Sequence, residues 1–176
     1  NALHEQIAKE LFRLFSDKIF LVPESILCQM PLNDGYSGDR NSWRRQKCPR
    51  YMSKIVDGYQ DLQKARIEHE GDILTFKEYL KLCSHPPDYI LTENDVSVPL
   101  LGFMEMLGVG RMLCDVDILG NNFDNAGFVW EKDSKGVITA ATVVKVDCGE
   151  ALRYFSKYPN LVRLLKSEKF PSRYRD

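Results

Sequence analysis

Residues 114–150, CDVDILGNNFDNAGFVWEKDSKGVITAATVVKVDCGE, constrain this chain more than any other stretch. Asp115 and Asp117 close an apolar run, and an Asn- and Gly-rich loop, 120–125, follows them. Two β-like runs, 126–131 and 137–146, are joined by Lys132-Asp133-Ser134-Lys135-Gly136. Small and charged residues between β-branched and aromatic runs are the pattern of a hairpin. The second run leaves at Asp147-Cys148-Gly149-Glu150. Folding the hairpin therefore gathers acids and amides at its open end. Carboxylate and amide oxygens suit Mg²⁺, a hard cation that keeps waters and bridges to substrate phosphates.

The rest of the chain is read as support for that stretch. Its 176 residues suffice for one filled core, and 44% hydrophobic with 28% charged residues describe an ordinary globular protein. A net charge of −1 gives no global field toward nucleic acid or membrane, so no nucleic-acid partner is expected. No apolar run approaches the ~20 residues of a spanning helix. The chain opens on Asn1 without a signal-peptide pattern, as expected of an excised or processed piece of something longer. Five scattered cysteines with no Cys-x-x-Cys pair predict free thiols and a reducing, cytoplasmic compartment. Cys148, beside Asp147, reads as an apolar filler or as a redox-sensitive thiol. His4, His69 and His85 do not fall at zinc-ligand spacing.

In chain order, Leu3, Ile7, Leu11, Phe12 and Phe15 mark an amphipathic helix over 3–15. A short β-like run at 18–22, stopped by Pro23, follows, and 25–30 continues it as a second strand or a turn of helix. The polar loop 31–50 carries Arg40, Arg44, Arg45, Lys47 and Arg50 around Trp43, a cluster able to grip a phosphorylated ligand. Met52, Ile55, Val56, Tyr59, Leu62 and Ala65 predict a helix over 51–67. Thr75 and Glu78 form a capping box before a short helix, 76–83, which His85-Pro86-Pro87 ends. A nearly all-apolar run predicts a buried helix over 98–113. Two more helices are expected at 150–155 and 160–166.

The order of Asp, short loop, Asn opening a hairpin, and strand ending in Asp-x-Gly resembles the catalytic and metal-binding segments of kinase-fold enzymes. Asp117 to Asn122 has the Asp-x₄-Asn spacing of a kinase catalytic loop. Val144-Lys145-Val146-Asp147-Cys148-Gly149 resembles the strand and Asp-Phe-Gly turn, with Cys148 in the Phe position. The likeness is to atypical kinases: phosphoinositide-kinase-like, HipA-like and bacterial effector kinases. It implies a single α+β domain or lobe over 1–176, a mostly helical C-lobe with a catalytic-loop hairpin at 125–147. It implies that Asp117 orients or deprotonates the acceptor, with Asp115 sharing or replacing that role. Asp147 and an Asn would hold Mg²⁺ against the phosphates of ATP. Asn122 has the family spacing, whereas Asn125 directly precedes the strand and is favoured by that context. Helix 3–15 would stand where αC does, with Glu5, or else Glu10, as its paired acid. Lys145 would meet the nucleotide if it faces the cleft; otherwise it is exposed. His-Arg is replaced by Asp115-Val116 before Asp117, and no G-x-G-x-x-G or Walker sequence appears, so the nucleotide lobe is expected to be incomplete or absent. The resemblance also implies delivery into a host cell, as for effector kinases.

Two other functions remain open. An inactive pseudokinase or interaction module would dock a partner or a phosphorylated ligand through the loop 31–50. A glycosyltransferase would use Asp115-Val116-Asp117 as an Asp-x-Asp metal motif, which normally ends a strand. An EF-hand-type calcium loop fails because Leu119 and Ala126 stand where oxygen ligands belong. The acceptor, whether protein, lipid or small molecule, is not encoded in any readable motif.

Overall fold

A computed structural model describes residues 2–16, 19–28, 50–148 and 151–152. The first element is α1, Ala2–Ser16, which lays Ala8, Lys9, Phe12 and Ser16 against the interior. The helix is where the sequence predicts it, but the buried face is Ala8-Lys9-Phe12-Ser16, and Ile7 and Phe15 of the expected stripe are exposed.

Behind α1 the strands β1 (Ser25–Cys28) and β2 (Arg50–Ser53) form a two-stranded antiparallel ribbon. The other seven strands share one sheet. They are β3 (Gln60–Asp61), β4 (Arg66–His69), β5 (Asp72–Thr75), β6 (Tyr89–Leu91), β7 (Ser97–Leu101), β8 (Ala126–Lys132) and β9 (Ile138–Lys145), in the order β3-β8-β9-β7-β6-β4-β5. Only the β7–β9 pairing is parallel, so the sheet is mixed. Leu21 adds an isolated parallel bridge to Val144, which ties the chain after α1 to the end of β9.

Two helices complete the described fold. The helix α2, Phe76–Leu82, starts at the predicted capping box: Glu78 N–H donates to Thr75 Oγ1, and Thr75 N–H donates to Glu78 Oε2 at 2.8 Å. Such a cap contributes about 1 kcal/mol. The helix α3 runs from Phe103 to Met112 and carries the chain into residues 113–125.

The domain is α+β as expected, but it is not mostly helical. The predicted helix over 51–67 is instead β2, a turn at Asp57-Gly58, β3, a 3₁₀ turn at Leu62–Lys64 and the start of β4. The predicted helix over 98–113 divides at Gly102, whose φ of +80° no continuous helix accepts, into β7 and α3. Of the helix expected at 150–155, only Ala151 and Leu152 are described, in a turn. The helix at 160–166 lies outside the described residues.

The core holds the loop after α3 in place. Phe76 of α2 packs at 5.2 Å from the ring of Phe103 and at 5.7 Å from that of Phe123, centroid to centroid. Leu113, Ile118, Leu119 and Phe123 are all buried, so the loop is anchored at four points. Each such side chain contributes roughly 1.5–3 kcal/mol of burial.

Candidate functional site

The predicted hairpin is present, and its register decides what meets at its mouth. Ala126 pairs with Lys145 at the open end of β8 and β9. The residues just outside that pair are Asn125 on one side and Val146 and Asp147 on the other. Val146 N–H and Asp147 N–H both donate to the Asn125 carbonyl, at 3.1 and 3.4 Å. The Asn125 side chain points the opposite way along the loop. Its Nδ2 donates to the Asp117 carbonyl at 2.7 Å and to Asp117 Oδ2 at 3.3 Å. Asn125 N–H in turn donates to the Leu119 carbonyl at 3.1 Å. One asparagine therefore joins the acid before the hairpin to the acid after it.

Asn122 does not share this position. It is exposed in the turn 121–122, one turn away from the mouth. Between the two asparagines the chain turns at Phe123, with φ of +59°, and Gly120 before them has φ of +77°. A Cβ there would lie 2.0 Å from Asp124 Oδ1 and 3.0 Å from Asn125 Cγ. The exposed Asp124 side chain can turn aside, so the left-handed backbone and the approach to Asn125 are what favour glycine there.

Behind the mouth lies a buried ion pair. Lys145 is fully buried, and its Nζ stands 3.2 Å from Asp115 Oδ2. The same ammonium donates to the Ile118 carbonyl at 2.8 Å and to the Asp147 carbonyl. The Phe12 ring of α1 lies 5.8 Å from Lys145 Nζ. Asp115 Oδ1 accepts the Asp117 N–H at 3.0 Å. Burial pushes the Asp115 carboxyl up, and the charge of Lys145 opposes that rise. Lys145 thus neither faces a cleft nor stands exposed. The reason is local: β9 ends inside the protein, where the loop carbonyls and Asp115 meet it.

The helix α1 covers the same corner. Glu5 is half-buried; burial pushes its carboxyl up, the charge of Asp147 adds to the rise, and Lys9 opposes it. Lys9 is fully buried and donates to Ser53 Oγ at 2.7 Å and to the Val146 carbonyl at 3.4 Å. Burial pushes the Lys9 ammonium down, against Cys148, Glu5 and Asp147. Glu10, the other acid considered for this role, is exposed and pairs with Arg13 at 3.2 Å on the outer face. Reading the sequence alone does not single out Lys9. The available signal is its position beside Ala8 and one helical turn before Phe12, where a lysine interrupts an apolar stripe.

Cys148 is buried, and burial pushes its thiol up to about 12, which fits the filler reading. Arg40, Arg44, Arg45 and Lys47 lie outside the described residues, and only the backbone of Arg50, at the start of β2, is described. Among the described residues, no group of three or more His, Cys, Asp or Glu side chains is gathered to hold a metal ion. No helix there is long and apolar enough to cross a membrane. Asp117 Oδ2 accepts from the Asn125 amide nitrogen, and the charge of Asp147 acts on Glu5 and Lys9 of α1. No family model, curated protein or solved structure matches this chain.

Proposed function

We propose that this chain is a phosphotransferase of atypical kinase fold that works on Mg²⁺ and ATP. The observation that carries the reading is the double engagement of Asn125, with Asp117 through its side chain and with Asp147 through its backbone. Two carboxylates and an amide oxygen form a hard donor set, the kind Mg²⁺ takes together with water and phosphate oxygens. When bound, the Mg²⁺–nucleotide supplies the phosphoryl group that is transferred.

The protein's own part is positional, since phosphoryl transfer leaves little covalent work to side chains. Asp117 orients the acceptor hydroxyl and takes its proton. Asn125 and Asp147 hold the metal side of the site. Glu5 closes the corner from α1, where its charge acts on Asp147. The acceptor is a hydroxyl of a protein, lipid or small molecule, met in a reducing, cytoplasmic setting, including that of a host cell.

A second reading, a catalytically silent module of the same fold, is favoured by one observation. Lys9 and Lys145 are both fully buried, with their ammonium groups engaged by protein oxygens. It would act as a docking module, with the basic loop 31–50 as the surface for a partner or a phosphorylated ligand. The glycosyltransferase reading is the weaker one, because Asp115 spends its two oxygens on Lys145 and the Asp117 N–H. The experiment is to follow transfer of the labelled γ-phosphate of ATP to water or to the protein itself with Mg²⁺. Transfer that falls at least about a hundredfold in Asp117→Ala supports the enzyme. No transfer above a protein-free control leaves the silent module.

A further inference from the structure

We propose that Lys145 and Asp115 are positioning residues: a buried pair that fixes Asp117 relative to Asp147. The inference rests on the phosphotransfer reading and deepens it. Lys145 Nζ reaches three partners that belong to the two sides of the mouth. Asp115 and Ile118 lie on the acceptor side, before the hairpin, and the Asp147 carbonyl lies on the metal side, after it. Asp115 passes the constraint on, because its second oxygen accepts the Asp117 N–H. One ammonium and one carboxylate thus span from the backbone of Asp117 to the backbone of Asp147.

Core filling does not account for this arrangement. Desolvating two charges is expensive, and a buried ion pair replaced by apolar groups of similar volume is often as stable or more so. What a charged pair adds is direction: an ammonium with several fixed acceptors permits one loop geometry, whereas a methyl group permits many. Partners behind metal ligands commonly set metal affinity or activity by ten- to a hundredfold without touching the metal. The Phe12 ring of α1 lies 5.8 Å from the ammonium, and both side chains are fully buried.

The test uses the whole chain and two variants. Lys145→Met alone strands the buried Asp115 carboxylate and is expected to unfold readily. Lys145→Met/Asp115→Asn removes both charges with little change of shape, and the amide that replaces the carboxylate retains an acceptor for the Asp117 N–H. Amide hydrogen exchange is measured on the metal-free protein. Separately, the Mg²⁺ concentration that gives half of the thermal shift is measured at saturating ADP. The double variant is expected to exchange about tenfold faster or more at Gly120, Asn125, Val146 and Asp147, while the middle of β9 keeps its protection. Its Mg²⁺ half-point is expected to rise by about ten- to a hundredfold. Wild-type exchange and an unchanged half-point, with only a lower melting temperature, would reduce the pair to a structural one and overturn the inference, leaving the phosphotransfer reading intact. A wild-type protein with no Mg²⁺-dependent response would overturn both.

Discussion

Asn125 turns its side-chain amide back eight residues to Asp117, 2.7 Å from the carbonyl oxygen, while its own carbonyl accepts the N–H groups of Val146 and Asp147. Removing that side chain should therefore open the loop and disconnect the two acids. Asn125→Ala is expected to lose about 1–3 kcal/mol of stability, the cost of stranding half-buried partners. It should also lose the response to Mg²⁺ and nucleotide. Asn122→Ala, in an exposed turn, is expected to stay within about 0.5 kcal/mol of wild type and to keep that response. Urea unfolding of both variants decides the matter, and equal behaviour of the two would speak against Asn125 as the linking residue.

Gly120 should be the least replaceable residue of the loop. Its left-handed backbone alone costs another residue about 1–2 kcal/mol. The clash of a Cβ with Asp124 and Asn125 adds to this. Gly120→Ala is expected to lower the urea midpoint clearly and to disturb the amide signals of Asn125 and Asp147. An unchanged midpoint would show that the loop does not require this close approach.

The Glu5 carboxyl gives a pH dependence of definite sign. Its folded value lies above the ordinary one, first through burial and then through Asp147. Between the unfolded value and the higher folded value the native state binds more protons than the unfolded state. Stability contributed by Glu5 is therefore present at low pH and lost as pH rises through that window. Relative to Glu5→Gln, the wild type should become less stable as pH rises above the ordinary glutamate range. A difference that grows in the wild type's favour with pH would contradict the burial of Glu5 beside Asp147.

How much of this was legible in the sequence varies with the kind of signal. The helix α1, the capping box at Thr75 and the β8–β9 hairpin rest on local chemistry and appear as read. The hairpin turn shows why: Asp133 Oδ1 accepts the N–H groups of Lys135 and Val137 at 2.8 and 2.9 Å, a bond within the turn itself. The run from Met52 to Ala65 misled because its apolar residues fall at helical spacing by coincidence. There, short strands and turns supply the buried groups Leu62 and Ala65. The strands β4, β5 and β6 are three or four residues long and carry no periodicity to read. That Asn125 lies at the mouth of the hairpin between Asp117 and the backbone of Asp147 follows from their order along the chain, whereas their roles rest on the resemblance alone. The inward turn of Lys145 and the presence of Lys9 were not legible, because they depend on partners distant in sequence: Asp115 and the Ile118 carbonyl for Lys145, Ser53 and the Val146 carbonyl for Lys9.

Cysteine reactivity should follow burial. With its thiol pushed up to about 12, Cys148 at pH 8 carries roughly a thousandfold less thiolate than an ordinary cysteine. Cys114 is also buried, and burial pushes its thiol up, whereas Cys83 is partly exposed. Timed alkylation of the native protein with iodoacetamide, read by mass spectrometry, should mark Cys83 well before Cys114 and Cys148. Early labelling of Cys148 would instead favour the redox-sensitive thiol.

The central claim is that Asp147 belongs to a metal–nucleotide site. Its most direct test is the thermal unfolding of wild type and Asp147→Ala, with and without Mg²⁺ and ATP. A ligand at about a hundred times its Kd stabilises by roughly 2.7 kcal/mol. For a chain of this size that raises the Tm by about 5–10 °C. The account predicts a rise of this order in the wild type that needs Mg²⁺ and disappears in Asp147→Ala. No Mg²⁺-dependent rise in the wild type, or the same rise in both proteins, would contradict it.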